Sequence, residues 1–393
     1  MKIKIMTILI IPILLTGCWS KNELNDITLT TSMAIDKEDD EFVMSISVVV
    51  PSEASITASG ISSPTTVLSS KGVNACDAFR KITSIISRIP NLAHVQNIII
   101  SEEIAKEGVA PILDSLIRDD HIRPNILLFI AKEMPAKDVL KINTSVDHIV
   151  STKIHNVIIN AEKNYSLVHS ISLINVINNI ATDDQEAYLP GIEVIGDVEK
   201  GNKAENIKDV EPAAEISLTP YAVFKKDKLI GWLDDYTSKG TNILHNKVKS
   251  TMINLFDEED YYSLDVVNTK TKIKAIIKNN KPIIEIKTNI KGQLCQTYCD
   301  IDLSKSKNIN TLEKKYQDLI KKQLDDTIIN LQQEYNSDIL GLKGIIHRKD
   351  KQLYKKINKN WDKVFSTLNC KIDVNVTIIQ PGSSINSLKK DIK

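Results

Sequence analysis

The first nineteen residues constrain the rest of the chain most, because they decide in which compartment it must fold. Lys2 and Lys4 place positive charge at the start, and residues 5–15 form an apolar run that Pro12 interrupts. This layout is typical of an export signal. The run is too short to cross a bilayer, which takes about 20 apolar residues in a helix. The sequence therefore predicts a signal peptide rather than an uncleaved membrane anchor.

The end of this signal, Leu15-Thr16-Gly17-Cys18, resembles a bacterial lipobox. In signals of that kind the cysteine thiol receives a diacylglycerol, and the peptide is cut directly before the cysteine. The resemblance implies that residues 1–17 are a lipoprotein signal peptide and that Cys18 is the lipidation site. The alternative is that Cys18 is an incidental thiol. Each buried methylene contributes roughly 0.8 kcal/mol, so two acyl chains hold a protein stably at a membrane.

Composition bounds what the exported part can do. The 393 residues include 50 basic and 50 acidic side chains, so no global charge attracts the chain to nucleic acid, and we expect no nucleic-acid partner. A hydrophobic content of 42% indicates a globular protein with room for two or three domains. No apolar run after the signal reaches membrane-spanning length, so we do not expect a channel or transporter.

Strand and helix patterns alternate in the first half of the chain. Strand patterns cover residues 27–36, 41–50, 95–100 and 125–131, and helical patterns cover residues 73–89, 102–117 and 136–142. This alternation predicts a mixed, partly parallel sheet covered by helices. Residues 51–71 are expected to form an exposed loop, and residues 182–212 are expected to form a linker because they are polar and contain glycine and proline.

The second half has a different rhythm. Strand patterns cover residues 217–225, 228–233, 262–270, 272–278, 282–290 and 371–380. They predict an antiparallel sheet. Asn310 with Glu313 resembles a capping box that begins a long helix. Apolar residues at helical spacing predict a buried stripe along that helix, formed by Leu312, Tyr316, Ile320, Leu324, Ile328, Leu331 and Tyr335. The predicted fold class is therefore mixed α/β (α+β) with several domains. Residues 18–205 would form an N-terminal domain and residues 206–393 a C-terminal domain, with a further division near residue 295 left open.

Signatures of catalysis are absent from the sequence. It contains no G-x-S-x-G, H-E-x-x-H, glycine-rich phosphate loop or EF-hand pattern, and its seven histidines show no metal-ligand spacing. We therefore expect no enzyme, no catalytic residue, no cofactor and no metal. A surface hydrolase that acts on the cell wall is disfavoured for the same reason.

Four cysteines follow the signal: Cys76, Cys295, Cys299 and Cys370. Cys295 and Cys299 are four residues apart, which would place both on one face of a strand or helix. They could form a disulfide outside the cell, but they lack C-x-x-C spacing, and unpaired thiols are favoured. The redox state of the four cysteines is left open.

One segment is locally basic. Between residues 343 and 363 eight cationic side chains outnumber Asp350 and Asp362. On a tethered protein this segment could face anionic lipid or an acidic partner. The alternative is a solvated helical face.

Several stretches together resemble one family, the C-subunit lipoproteins of spore germinant receptors, often called the Ger(x)C family. The matching stretches are Gly17-Cys18-Trp19 with Glu23-Leu24-Asn25, Ala34-Ile35-Asp36-Lys37, residues 94–108, residues 222–233, residues 338–342, His347-Arg348 and Asn360-Trp361. None is a chemical signature alone. Their order and spacing along nearly the whole chain make the resemblance specific.

The resemblance implies a non-enzymatic subunit that works with two integral-membrane subunits in the inner membrane of the dormant spore. Such receptors respond to nutrients and trigger the release of ions and dipicolinic acid. The lipid would hold this subunit on the outer face of that membrane. The resemblance leaves open which nutrient is sensed and whether this subunit binds it. A different class with the same lipobox is a solute-binding lipoprotein of an importer, which requires two similar α/β lobes around a cleft.

Overall fold

The strands of the protein form two sheets that are joined by helices. The computed structural model describes residues 26–50, 63–300 and 302–380. The predicted signal peptide, Cys18 and part of the predicted loop at residues 51–71 lie outside the described residues. Within that loop region, residues from Thr65 onward form a strand, so the loop prediction is wrong there.

The first sheet has the strand order β3-β2-β1-β5-β6-β7-β8-β9, with β4 paired to β1 beside this path. Its strands are β1 (Ile27–Glu38), β2 (Glu41–Val49), β3 (Thr65–Gly72), β4 (Ile89–Asn91), β5 (Asn97–Ser101), β6 (Leu127–Ala131), β7 (Tyr188–Gly196), β8 (Ala214–Lys225) and β9 (Lys228–Trp232). Neighbours among β1, β5, β6 and β7 are parallel, and antiparallel strands flank them on both sides. Every residue of β5 is buried, as expected for an apolar strand covered on both faces.

Short helices cover this sheet. They are α1 (Ala75–Ile82), α2 (Glu102–Glu107), α3 (Ala110–Arg118), α4 (Ala136–Leu140), α5 (Val150–Asn164), α6 (Leu173–Thr182), α7 (Val198–Gly201) and α8 (Glu205–Lys208). Helix α1 is shorter than the predicted helix at residues 73–89. It ends at Ile82, where the hydroxyls of Thr83 and Ser84 donate to the carbonyls of Arg80 and Lys81 at 2.6 and 2.7 Å.

The second sheet has the order β10-β11-β12-β13. Its strands are β10 (Thr251–Asp257), β11 (Asp260–Lys278), β12 (Lys281–Tyr298) and β13 (Asn369–Gln380). The first three are antiparallel, whereas β13 lies parallel to β12. The helices of this half are α9 (Asp235–Leu244), α10 (Ser306–Ile329), α11 (Leu342–Lys349), α12 (Lys351–Ile357) and α13 (Trp361–Phe365).

The long helix α10 carries the predicted apolar stripe but begins earlier than predicted. Lys305 occupies its N-cap position, so the prediction that Asn310 caps the helix is wrong. Glu313 forms no capping box, because its carboxylate accepts the backbone N–H of Ile378 at 2.8 Å. The stripe residues from Leu312 to Ile328 are buried against the second sheet, and the helix continues into a π-helical turn, Asn330–Glu334.

The predicted linker at residues 182–212 contains β7, an interior strand of the first sheet, so that prediction is wrong. Its proline and glycine are accommodated by a register shift between Pro190 and Gly191 in the pairing with β8. Gly191 is needed there, because a Cβ would lie 2.5 Å from the Trp232 ring. The first sheet continues past residue 205 to β9. The division into residues 18–205 and 206–393 stays a prediction.

Helix α9 connects the two halves. It packs against β8 of the first sheet and against α10 of the second half. The helices approach closely at Gly240, where a Cβ atom would lie 2.1 Å from Thr327 Oγ1. Glycine at this position therefore sets the distance between α9 and α10.

Candidate functional site

The lipidation site predicted from the sequence, Cys18, lies outside the described residues. The first described residue, Asp26, directly precedes β1, and its carbonyl accepts the backbone N–H of Ile89 at 2.8 Å. The segment that carries Cys18 therefore joins the folded part at the amino end of β1, next to β4.

A cavity of about 460 Å³ lies at the opposite end of the same strand. We call it the carboxyl-edge cavity, because it is bordered by residues at the carboxyl ends of the parallel strands β1, β5 and β6. Its lining residues are Asp36, Lys37, Glu38, Ser101, Glu102, Glu103, Lys106, Glu133, Met134 and Pro135. In the sheet, β2 lies on one side of β1, whereas β5 and then β6 lie on its other side, so the connections after β1 and after β5 run in opposite directions across the sheet. Such a switch in direction is where open α/β sheets commonly bind ligands.

The floor of the carboxyl-edge cavity is fixed by Asp36. This residue is buried, and its carboxylate oxygens accept the backbone N–H groups of Ala136 at 2.6 Å and Lys137 at 2.9 Å. Burial raises the pKa of Asp36, and the two N–H groups oppose that rise. Asp36 thus ties the end of β1 to the start of α4 and is not available to a ligand.

Most other charges around the cavity are paired. Lys37 lies 2.6 Å from Glu107, Glu102 lies 2.7 Å from Lys106, and Glu38 forms ion pairs with Lys71 and Lys137. The carboxylates of Glu103 and Glu133 are exposed, and neither forms an ion pair with another described residue. The mouth of the cavity is therefore acidic. The hydroxyl that lines it, on Ser101, accepts the backbone N–H of Ile104 at the start of α2.

This cavity was not predicted. The available signal was a polar residue at the end of each of three apolar stretches: Asp36 near the end of β1, Ser101 at the end of β5 and Lys132 directly after β6. Only the parallel pairing of β1, β5 and β6 brings these strand ends together, and the sequence does not specify that pairing.

A second group of buried polar residues lies where α9 meets the first sheet. We call it the buried polar cluster. It consists of the buried residues His169, Tyr188, Tyr221 and Asn242, together with His245, which is partly exposed as a residue but whose ring Nε2 is buried. The Tyr221 hydroxyl lies 2.7 Å from both Asn242 Oδ1 and His169 Nδ1. The Asn242 side-chain amide donates to the carbonyls of Ser166 and Leu167 at 2.8 and 3.0 Å. The His245 ring stacks on Tyr188 with centroids 5.1 Å apart.

Burial keeps both histidines of this cluster neutral. Desolvation lowers the pKa of His169 to about 4, against the opposing hydrogen bond to Asn242. It lowers the pKa of His245 to about 3, with a smaller contribution from His169. Because the folded-state pKa values lie below the ordinary value, protonation favours the unfolded chain. The cluster stabilises the fold at neutral pH and loses that effect as the pH falls below about 6.5.

The predicted basic segment is divided between a buried residue and a solvated surface. Lys343 is 5% exposed, and its Nζ lies 2.6 Å from Asp183 Oδ2. Beside it Asp338 accepts the backbone N–H groups of Leu342 and Lys343, and burial raises the pKa of Asp338 to about 7. The exposed cations are Arg348, Lys349, Lys351, Lys355, Lys356, Lys359 and Lys363, which lie on α11 to α13. Lys343 therefore does not belong to the exposed basic surface.

The cysteines occupy different environments. Cys76 and Cys295 are exposed, Cys370 is half-buried and Cys299 is buried, so Cys295 and Cys299 do not share one face. Burial raises the pKa of the Cys370 thiol to about 12, which makes it unreactive at neutral pH.

Within the described ranges, one group of at least three candidate metal ligands occurs, Asp119, Asp120 and His121, whose ligand atoms lie within 4.8 Å of one another. It is mostly exposed at the end of α3, and exposed acidic groups of this kind are common without an ion. In the part of the chain that the structure describes, no helix combines the length and the apolar character needed to span a bilayer.

Two family models match the chain. The model described as "Spore germination protein N-terminal domain" matches residues 20–194, and the model described as "Spore germination B3/GerAC like, C-terminal" matches residues 219–382. Together they cover most of both halves.

Curated relatives match over nearly their full length. The chain is 29% identical over 391 residues to Spore germination protein KC of Bacillus subtilis (strain 168), with 97% of this chain and 96% of that protein covered. It is 25% identical over 388 residues to Spore germination protein A3 of the same organism, with 96% and 97% covered.

A solved structure described as "Crystal Structure of the GerBC protein" has a similar fold. The TM-score is 0.57 at 18% sequence identity, and the match covers 88% of this chain and 96% of that chain. The comparison confirms the predicted mixed α/β fold with two different sheets.

The buried polar cluster generates a prediction about pH. Substituting His245→Phe keeps a ring against Tyr188 but removes one buried titrating group. Between about pH 6 and pH 4 the parent should lose about 1.4 kcal/mol of unfolding free energy per pH unit more than this variant. Urea unfolding at a series of pH values measures both slopes.

The control is Phe256→Leu, at an exposed side chain that does not titrate, and this variant should keep the parent's slope. An unchanged slope in His245→Phe would contradict the assignment of His245 as a buried neutral base.

Proposed function

This chain belongs to the GerAC-like spore germination family, the C subunits of germinant receptors, and we propose that it acts as the membrane-tethered lipoprotein subunit of a nutrient receptor. The observation that carries the proposal is the combination of family matches in both halves with the lipobox at Leu15-Thr16-Gly17-Cys18. A diacylglycerol on Cys18 would place the folded part on the outer face of the spore inner membrane.

The proposed role is interaction rather than catalysis. Relatives of this family are C subunits of germinant receptors, and they are not known as enzymes. Two integral-membrane subunits would be the partners, and they would carry the signal across the bilayer. The acidic mouth of the carboxyl-edge cavity is not arranged for catalysis, since the hydroxyl that lines it, on Ser101, accepts the backbone N–H of Ile104.

The alternative, a solute-binding lipoprotein of an importer, finds little support in the architecture. Such proteins need two similar α/β lobes around a cleft. Here the first sheet is mixed with parallel central strands, and the second is a mostly antiparallel meander. The carboxyl-edge cavity lies within the first half rather than between two lobes.

The tether can be tested by substituting Cys18→Ala. Without a thiol the acyl chains cannot be attached, so the protein produced without its partner subunits should move from the membrane fraction to the soluble fraction. Dipicolinic acid release should fall after nutrient exposure and stay normal after a receptor-independent trigger. Cys76→Ala, at an exposed thiol of the described part, is the matched control and should change neither measurement.

Membrane association of the Cys18→Ala protein, produced without its partner subunits and washed at high salt, would contradict the lipid anchor. Normal nutrient response in that strain, with the protein soluble, would contradict the need for a tether.

The exposed basic surface generates a second prediction. Reversing charge with Lys355→Glu and Lys356→Glu should weaken co-purification with the integral-membrane subunits several-fold, because an acidic partner surface would then meet like charge. Both side chains are exposed at the end of α12, so the fold should not be affected.

The matched control is Lys278→Glu with Lys281→Glu, which makes the same charge change at the exposed turn between β11 and β12. If both double variants co-purify like the parent, the basic surface is only a solvated face.

A further inference from the structure

Among the described residues, three large apolar side chains are exposed around the amino end of β1. Leu29 is 39% exposed, Ile85 is 55% exposed and Ile89 is 53% exposed. We call these residues, together with the exposed Arg88 between the two isoleucines, the N-terminal apolar patch. An isoleucine left in water loses the favourable free energy of burial, so a surface that covers the patch is stabilised by it.

Strand pairing brings the patch together. Strand β4 runs parallel to β1 with Ile89 beside Ile27, and side chains two residues apart in a strand share a face. Leu29 therefore lies on the same face as Ile27 and Ile89. The hydrogen bond from Ile89 N–H to the Asp26 carbonyl fixes this face next to the first described residue.

The turn after α1 presents the isoleucines outward. The backbone N–H groups of Ile85 and Ile86 both donate to the Ile82 carbonyl, at 3.0 and 3.2 Å, so the chain turns tightly there. Ile86 packs against the core, whereas Ile85 and Ile89 do not. Arg88 is exposed and forms no ion pair with any residue that the structure describes, so its charge faces solvent.

The length of the tether identifies what covers the patch. Cys18 precedes Asp26 by eight residues, and a fully extended chain of that length spans at most about 28 Å. If Cys18 is lipidated, as the proposed function requires, the amino end of β1 cannot move farther than this from the bilayer. The patch is therefore the apolar surface that the anchor itself holds beside the membrane.

We propose that the N-terminal apolar patch docks on the bilayer surface. Ile85 and Ile89 lie in the interfacial region, and Arg88 contacts anionic lipid headgroups, which is the combination that interfacial membrane binding uses. Docking orients the molecule with β4 towards the membrane and the carboxyl-edge cavity at the far end of β1. The proposal rests on the lipid anchor but goes beyond it, because a tether alone leaves the orientation free.

The test uses the full-length lipidated protein in vesicles of phosphatidylcholine and phosphatidylglycerol with brominated acyl chains, which quench tryptophan within the bilayer. The variant Ile89→Trp reports on the patch. The control Phe256→Trp reports on β10 of the second sheet, at a side chain that is 75% exposed. The parent has three tryptophans, and its emission is subtracted. We expect quenching of Ile89→Trp to exceed that of the control at least about twofold, as interfacial insertion predicts.

The charge of Arg88 is tested in the same system. Adding Arg88→Glu to Ile89→Trp should reduce the quenching, because a carboxylate is repelled by phosphatidylglycerol. An Arg88→Glu variant with undiminished quenching would overturn the role of anionic lipid.

Three further outcomes would overturn the docking, and they separate it from the proposed function. Equal quenching of Ile89→Trp and Phe256→Trp, in protein that sediments with the vesicles, would overturn docking and leave the anchor intact. Protein that stays in the supernatant would overturn the anchor and the docking that depends on it. Quenching that appears only when the integral-membrane subunits are added would overturn the proposal in favour of a protein partner.

Discussion

The close approach of α9 and α10 at Gly240 is the contact on which the arrangement of the two sheets depends. Helix α9 is fixed to the first sheet on one side by the buried polar cluster, in which Asn242 and His245 meet Tyr221 and Tyr188. On its other side it lies against α10, whose apolar stripe covers the second sheet. A side chain at Gly240 would collide with Thr327, so the missing Cβ determines how closely the two halves pack.

This arrangement suits a subunit that works through its surfaces. The two halves present different features on one connected body. The first half carries the N-terminal apolar patch at one end of β1 and the carboxyl-edge cavity at the other, and the second half carries the exposed cations of α11 to α13. The histidines of the buried polar cluster are neutral because a buried imidazole is costly to protonate. The stability of the contact between α9 and the first sheet therefore depends on pH.

Sequence patterns were sufficient where the determinant is local. The stripe from Leu312 to Ile328 follows from helical periodicity, and strand β5 follows from a continuous run of apolar residues. Sequence patterns failed where the local structure depends on residues far apart in the sequence. Strand β7 resembled a linker because its Pro190 and Gly191 are accommodated only by β8 and Trp232. The same holds for Asp36, whose carboxylate accepts a backbone N–H from Ala136, 100 residues later in the sequence. It also holds for Lys343, whose ammonium group pairs with Asp183, 160 residues earlier.

The free energy of unfolding of a Gly240→Ala variant tests most directly whether the two halves depend on this contact. Alanine favours a helix over glycine by about 1 kcal/mol, so an unconstrained position would gain stability. The account predicts a net loss on the order of 1–2 kcal/mol from overpacking against Thr327, with partial recovery when Thr327→Ala is added. A Gly240→Ala protein as stable as the parent or more stable, with both halves unfolding unchanged, would contradict it.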